Sequence, residues 1–320
     1  MIEPGGTVGI LGAGQLGRML AMAAARMGLR ARLYAPEADP PAAHVAPVTR
    51  AAWDDADALS AFAASVDVAT LEFENVPLGA VETLAPLVPV RPGARALAVA
   101  QDRLTEKTFL NEAGAATAPF APVSDAASLE AALAALGLPA ILKTRRMGYD
   151  GKGQMRLNSA ADAPAALAAM GGAPAILEGF APFAREVSVV IARGPDGATR
   201  AYDPGENVHR DGILRRTSVP AALDAETAAR AAAIAARIVN ALDYVGVMGV
   251  ELFHMPSDTH GGALWVNEIA PRVHNTGHWT MNACAVDQFE QHLRAVCGWP
   301  LGDPARHCDA VMENLIGDDA

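Results

Sequence analysis

A chain of 320 residues, 51% of them hydrophobic and many of those alanine, has material for about two domains with a sizeable, helix-rich core. The formal net charge of −11 argues against general affinity for nucleic acid, which needs basic surface, so an anionic ligand must meet local positive charge. Cys284, Cys297 and Cys308 are odd in number without CxxC spacing, MIEPGG is not a signal-peptide start, and no run of about 18 apolar residues is free of charges or glycines; a disulfide framework, a zinc site and a membrane span are not expected, and a reducing cytoplasm is.

Thr7 to Leu11 reads as a short apolar strand, GAGQLG follows at 12–17, Arg18 to Gly28 has helical spacing, and Leu29 to Tyr34 is a second strand. This is a βαβ start with a glycine turn at a helix N-terminus, a natural anion site. An NAD site would want an acid at the end of the second strand; Tyr34 and Ala35 stand there, and Glu37 and Asp39 come late. Ala46 to Asp67 is polar, then helical. Val68 to Phe73 reads as a strand on which Glu72 and Glu74 would share a face at a sheet's ligand-binding edge. Val88 to Pro92 reads as a further strand, and residues 93–114 as one amphipathic helix closing at Gly114. A domain boundary is placed near residue 100.

Ala140 to Leu157, AILKTRRMGYDGKGQMRL, joins two short apolar runs through a loop with glycines at 148, 151 and 153. Those glycines permit close backbone approach, and Lys143, Arg145, Arg146 and Lys152 supply charge, so the loop suits a polyphosphate. It is not a Walker A loop, because GxxxxGK[ST] is missing and no helix follows. A basic surface hairpin is the plain alternative. Ala160 to Met170 reads as helix, Ala175 to Gly179 as a strand carrying Glu178, Arg185 to Ala192 as a β-branched strand, residues 198–220 as two more strands, and Ala221 to Leu242 as a long helix.

Tyr244 to Phe253 and Leu264 to Ile269 read as strands joined by HMPSDTHGGA. Antiparallel pairing would bring Glu251 within a residue or two of opposite Glu268, beside Asn267. Like charges so placed in an apolar hairpin are destabilising unless a cation lies between them, and Mg²⁺ takes carboxylate oxygens together with phosphate oxygens. Next, APRVHNTGHWT crowds Arg272, His274, Asn275 and His278 into one loop, as a substrate site would.

Taken together, GAGQLGRM, EFENVP, QDRLTEKTFL, GYDGKGQ, EGF, REVSV, GVELF, NEIAPRVHNTGHWT and AVMENLIGD resemble, in order and over nearly the whole chain, the ATP-grasp carboxylate–amine ligases. More closely they resemble the 5-(carboxyamino)imidazole ribonucleotide synthetase family. NEIAPR-x-HN-[ST]-GHWT with GYDG-[KR]-GQ is highly specific; GAGQLG alone is not. The resemblance implies an α/β (α+β ATP-grasp) architecture. Its parts would be a Rossmann-like pre-ATP-grasp domain over 1–100, a two-lobed ATP-grasp domain over 101–294 with a small lid lobe about 115–180, and the start of a small C-terminal domain over 295–320. It implies carboxylation of the amino group of 5-aminoimidazole ribonucleotide from ATP and bicarbonate, with Mg²⁺, in a cytoplasmic homodimer that has no nucleic-acid polymer or membrane partner.

By position, the resemblance gives phosphates to Arg103, Lys143 and the loop Gly148, Tyr149, Asp150, Gly151, Lys152, Gly153 and Gln154. Adenine and ribose fall to Glu178, Gly179, Phe180, Ala181 and Glu186, with His209 near the nucleotide, and Mg²⁺ to Glu251 and Glu268 beside Asn267. Tyr149, Asp150, Arg272 and His274 would face the aminoimidazole and bicarbonate, Asp150 as base, and Gln15 and Leu16 the ribonucleotide. Thr276 stands where the family commonly has Ser. The family continues past ENLIGD into a basic segment that contacts the ribonucleotide phosphate; a chain ending at Ala320 is therefore expected to hold ATP well and the ribonucleotide weakly. Three other readings stay open: a different ATP-grasp ligase such as formate-dependent glycinamide ribonucleotide transformylase, an NAD-dependent oxidoreductase, and a non-catalytic nucleotide-binding protein.

Overall fold

The computed structural model describes residues 1–148 and 153–317. The chain opens with β1 (Thr7–Leu11), α1 (Gln15–Arg26), β2 (Arg30–Ala35), β3 (Val48–Arg50), α2 (Ala56–Ala63), β4 (Val68–Leu71) and α3 (Leu78–Leu84). Its strands form a parallel sheet in the order β3-β2-β1-β4, with α1 and α2 supplying apolar faces to the cores on either side.

Three details of this first unit depart from the sequence reading. Helix α1 begins at Gln15 rather than Arg18, since the glycine turn itself serves as its N-terminus. Strand β4 stops at Leu71, so Glu72 and Glu74 do not alternate on a strand. Glu72 turns back instead, accepting the amides of Gly14 and Gly17 at 2.8 Å each. Gly12, at φ +101°, makes this possible: a Cβ there would run into the Glu72 side chain. Val88 to Pro92 is not a strand but a single parallel bridge, Ala69 to Val90, because Pro89 and Pro92 have no amide to extend a ladder.

The expected single helix over 93–114 is two, α4 (Ala94–Ala100) and α5 (Arg103–Glu112). Asp102 breaks it by adopting extended backbone and accepting the Leu104 and Thr105 amides, an N-cap inside an otherwise continuous apolar pattern. A small sheet follows, from β5 (Phe120–Val123), α6 (Ala126–Leu136), β6 (Ala140–Thr144), β7 (Gln154–Leu157), α7 (Ala163–Ala169) and β8 (Ala175–Gly179), in the order β5-β8-β6-β7 with both helices on one core.

The largest sheet contains β9 (Arg185–Arg193), β10 (Thr199–Ala201), β11 (Gly205–Arg210) and β12 (Ile213–Val219); after α8 (Ala225–Ala241) come β13 (Gly246–His254), α9 (Ser257–His260) and β14 (Leu264–Ala270). Helices α10 (Thr280–Ala283) and α11 (Gln288–Cys297) precede β15 (Ala310–Glu313). The order is β14-β13-β9-β11-β12-β15, with β10 on β9. Residues 198–220 thus hold three strands rather than two. Helix α8 begins only at Ala225, where Asp224 caps the Thr227 amide. One hydrophobic core runs from β1 and α1 through α11 to β9 and β13, so the first sheet and the largest one share packing. No described helix is long and apolar enough to cross a membrane.

Asp102 also pairs with Arg145 at 2.8 Å, beside the glycine loop. Asp102→Ala is therefore expected to lower stability by about 1–2 kcal/mol, mostly through the lost cap. An unchanged urea midpoint would refute that account of the helix break.

Candidate active site

The hairpin of β13 and β14 aligns Glu251 directly with Glu268, the register expected from the sequence, with an irregularity immediately after Glu251. Burial and the neighbouring Glu268 charge push the Glu251 carboxyl up to about 7. His274 Nε2 lies 3.5 Å from Glu251, while its Nδ1 meets the Thr276 hydroxyl at 2.8 Å. Burial, and secondarily Arg272, drive His274 down to about 3, so its contact with Glu251 is between neutral imidazole and carboxyl, not an ion pair. Room for His274 comes from Gly249 on β13, where a Cβ would sit 2.7 Å from the ring.

On the other acid, Arg103 at the start of α5 pairs with Glu268 at 3.3 Å and donates to the Gly148 carbonyl at 3.1 Å. Glu74, Arg103, Glu106, Arg145, Gly148 and Glu268 are among the residues lining one cleft of about 60 Å³. Glu74 is bonded to Arg272. Burial acts to raise the Glu74 carboxyl, but Arg272 overrides it and holds it below the usual carboxylate range. Burial and the Glu268 charge lift Glu106 to about 8.

Deeper in, Lys143 on β6 pairs with Glu178 on β8 at 2.9 Å, and Lys107 of α5 approaches the same carboxylate at 3.4 Å. Burial works to raise Glu178, yet the two lysines keep it below the ordinary value; burial lowers Lys143. The other oxygen of Glu178, Oε1, is buried without a hydrogen-bond partner among the described residues. Gly179 donates to the Pro119 carbonyl at 2.8 Å, Phe180 lies 4.2 Å beneath the Arg156 guanidinium, and Ala181 is buried. Glu186 on β9 bonds His209 on β11, and the charges of Glu186, Glu251 and Glu268 together raise His209 against its burial.

The structure thus gathers Arg103, Gly148, Asn267, Glu268, Glu251 and His274 at one place, with Lys143 and Glu178 behind them and Glu186 and His209 alongside. Gln154 opens β7 opposite Lys143, and Gly153 has φ +69°. Tyr149, Asp150, Gly151 and Lys152 lie outside the described residues. Gln15 lines a different cleft, of about 560 Å³, with Arg18, Met19, Met22 and Arg26. The glycine turn that could have taken a dinucleotide phosphate already holds the Glu72 carboxylate. Among the described residues there is no group of three or more His, Cys, Asp or Glu side chains that could hold a metal ion. The two carboxylates Glu251 and Glu268 nevertheless suit Mg²⁺, whose remaining positions are usually filled by phosphate oxygens and water. The sequence reading passed over Glu106 and Lys107, although Arg103, Glu106 and Lys107 fall on one helical face at i, i+3 and i+4.

Residues 6–101 match the ribonucleotide synthetase preATP-grasp domain family, and residues 108–289 the ATP-grasp domain family. The chain is 56% identical to an N5-carboxyaminoimidazole ribonucleotide synthase of Brucella melitensis, over 99% of this chain and 88% of that protein. It is similar to the crystal structure of an N5-carboxyaminoimidazole ribonucleotide synthetase from Thermus thermophilus, with TM-score 0.92 and 46% identity over 97% of this chain and 84% of that one. It is also similar to an N5-carboxyaminoimidazole synthase from Aspergillus clavatus in complex with ADP and 5-aminoimidazole ribonucleotide, with TM-score 0.91 and 30% identity over 99% of this chain and 84% of that one.

The buried acid pair has a pH signature. Glu251 titrates near its ordinary 4.5 when unfolded and about 7 when folded, so the folded state holds more protons between those values and loses stability as pH rises through 7. His274 and His278, lowered from 6.5 to about 3 and about 4, act with the opposite sign and only below their unfolded value. Metal-free Glu251→Gln is therefore expected to be more stable than the parent at about pH 8, by on the order of 2 kcal/mol, and little different at about pH 5. Urea unfolding at both pH values checks this; equal stability at the higher one would remove the like-charge argument.

Proposed function

The chain belongs to the N5-carboxyaminoimidazole ribonucleotide synthase family of ATP-grasp ligases, and on that footing we propose how its residues divide the work. The reaction is the ATP-dependent carboxylation of 5-aminoimidazole ribonucleotide in purine biosynthesis, forming a carbon–nitrogen bond. The carrying observation for the assignment of roles is Glu251 facing Glu268 across the hairpin, with Arg103 reaching from Glu268 to the Gly148 carbonyl.

Arg103, Lys143 and residues 148–154 take the nucleotide's phosphates; Glu178 to Ala181 and Glu186 take adenine and ribose, with His209 beside them. The unpartnered Glu178 Oε1 supports this, since an adenine amino group is the kind of donor it lacks. Glu251 and Glu268, with Asn267 next to them, would hold Mg²⁺, which would offset charge on phosphoryl oxygens.

Bicarbonate oxygen attacks the γ-phosphorus and ADP leaves, giving carboxyphosphate. The aminoimidazole nitrogen then attacks its carbon, phosphate leaves, and the nitrogen's proton passes to Asp150, the base given by resemblance. Arg103 and Lys143 contribute positive charge that is already in place where phosphoryl charge builds. Arg272, held by Glu74, and neutral His274 bound the space for the bicarbonate and aminoimidazole. Carboxyphosphate is short-lived in water, so exclusion of solvent around it is part of the chemistry. From the family resemblance we further propose that the chain acts in the cytoplasm as a homodimer.

ADP release is expected to require bicarbonate and to rise with the aminoimidazole ribonucleotide; release driven by formate instead would assign another ATP-grasp activity. Glu268→Gln should lower turnover by roughly 10²-fold or more, as loss of one charge-stabilising group does. Near-parent turnover at saturating Mg²⁺ would take Glu268 out of the site. Asp150→Asn should bind ATP like the parent yet fail to form carboxylated product. Product formed at the parent rate would end the assignment of Asp150 as base.

A further inference from the structure

Strand β14 is the end strand of its sheet. The Asn267 carbonyl and the Ile269 amide, which flank Glu268, are taken up by α5 instead of by a neighbouring strand. Glu106 Oε1 accepts the Ile269 amide at 2.7 Å. Lys107 Nζ donates to the Asn267 carbonyl at 3.2 Å. Both side chains are almost wholly buried, Glu106 at 2% exposure and Lys107 at 1%. Lys107 also reaches Glu178 of the small sheet, so one ammonium connects the strand bearing Glu268 to the strand bearing Glu178.

We propose that Glu106 and Lys107 are positioning residues that grip the backbone on both sides of Glu268 and hold its carboxylate opposite Glu251 in the distance a cation needs. Three features call for such a grip. Glu268 faces a like charge. The β13–β14 ladder is irregular immediately after Glu251. On the outer side of β14 a backbone bridge, Val266 to Thr117, stops short of Glu268, and no named strand continues it. A buried salt bridge or carboxyl is a weak source of stability, and its retention beside a site is better explained by the geometry it fixes.

This inference rests on the reading of Glu251 and Glu268 as the Mg²⁺ pair, and its test separates the two. ADP binding is measured by calorimetry with and without Mg²⁺, and the quantity read is the tightening that Mg²⁺ causes. Glu268→Gln should abolish it. If Mg²⁺ does not tighten ADP binding in the parent, or still does so fully in Glu268→Gln, the metal reading fails and the positioning role falls with it. Given that reading, Glu106→Gln keeps a carbonyl acceptor for the Ile269 amide and should stay within about twofold of the parent, whereas Glu106→Ala should lose about tenfold of the tightening while keeping its metal-free ADP affinity. Lys107→Met should lose both, because it also frees Glu178.

A folded Glu106→Ala with parent-like tightening would make Glu106 merely structural and overturn the proposal. Equal loss in Glu106→Gln and Glu106→Ala would make the carboxylate itself a ligand and overturn it too. If Glu106→Ala does not fold, Glu106→Asp, one methylene short of the amide, takes its place and is read the same way.

Discussion

Two carboxylates set opposite one another on adjacent buried strands are a cost that an apolar hairpin cannot carry unaided. In this chain the arrangement is met from several sides at once. Arg103 lies on Glu268, a neutral imidazole lies on Glu251, and the charge of His209 favours ionised Glu251 while that of Glu186 opposes it. Helix α5 reaches the backbone beside the second acid. Burial and the facing charge favour protonation of Glu251, lifting it to about 7, and a cation between the two oxygens is what would let both acids stay ionised. Much of the local architecture follows, from the glycine at 249 that admits His274 to the cap at Asp102 that starts α5 where Arg103 can reach the acid.

The same region concentrates positive charge within a strongly acidic chain. Its positive charge is internal and partnered: Arg103 with Glu268, Lys107 and Lys143 with Glu178, Arg145 with Asp102, Arg272 with Glu74. Such pairs add little net stability, because desolvation offsets most of the attraction. Under the proposed function, such pairing orients the cations before a ligand arrives, so that phosphate groups would meet fixed charge without reorganisation.

Legibility in the sequence followed the range of the interactions. The Glu251–Glu268 register could be read because two long apolar strands and one hairpin leave few alternatives. Three of the small sheet's strands, β6, β7 and β8, were legible as short apolar runs next to a glycine or proline, whereas β5, interrupted by Pro122, was not read. The break at Asp102 was hidden because the apolar pattern continues across it; only cap chemistry, local and weak in sequence, opposes a single helix. Glu72 was misread for a different reason. Alternation along β4 describes it until the strand ends one residue earlier, and then hydrogen bonds to amides more than fifty residues away decide its place. The bridging role of Lys107 depends on two sheets meeting, which no local pattern reports.

The Glu72 fold-back has a mechanical meaning. By filling the glycine turn with a side chain of its own, the first sheet turns a receptor into a fastener: the end of β4 is riveted to the start of α1. Two residues on, Glu74 holds Arg272 beside the hairpin acids. The short stretch between them is therefore a strap with one end in the first sheet and the other at the loop that carries Arg272. Besides the apolar face by which α1 joins the shared core, the helix thus has a second, polar route to the guanidinium.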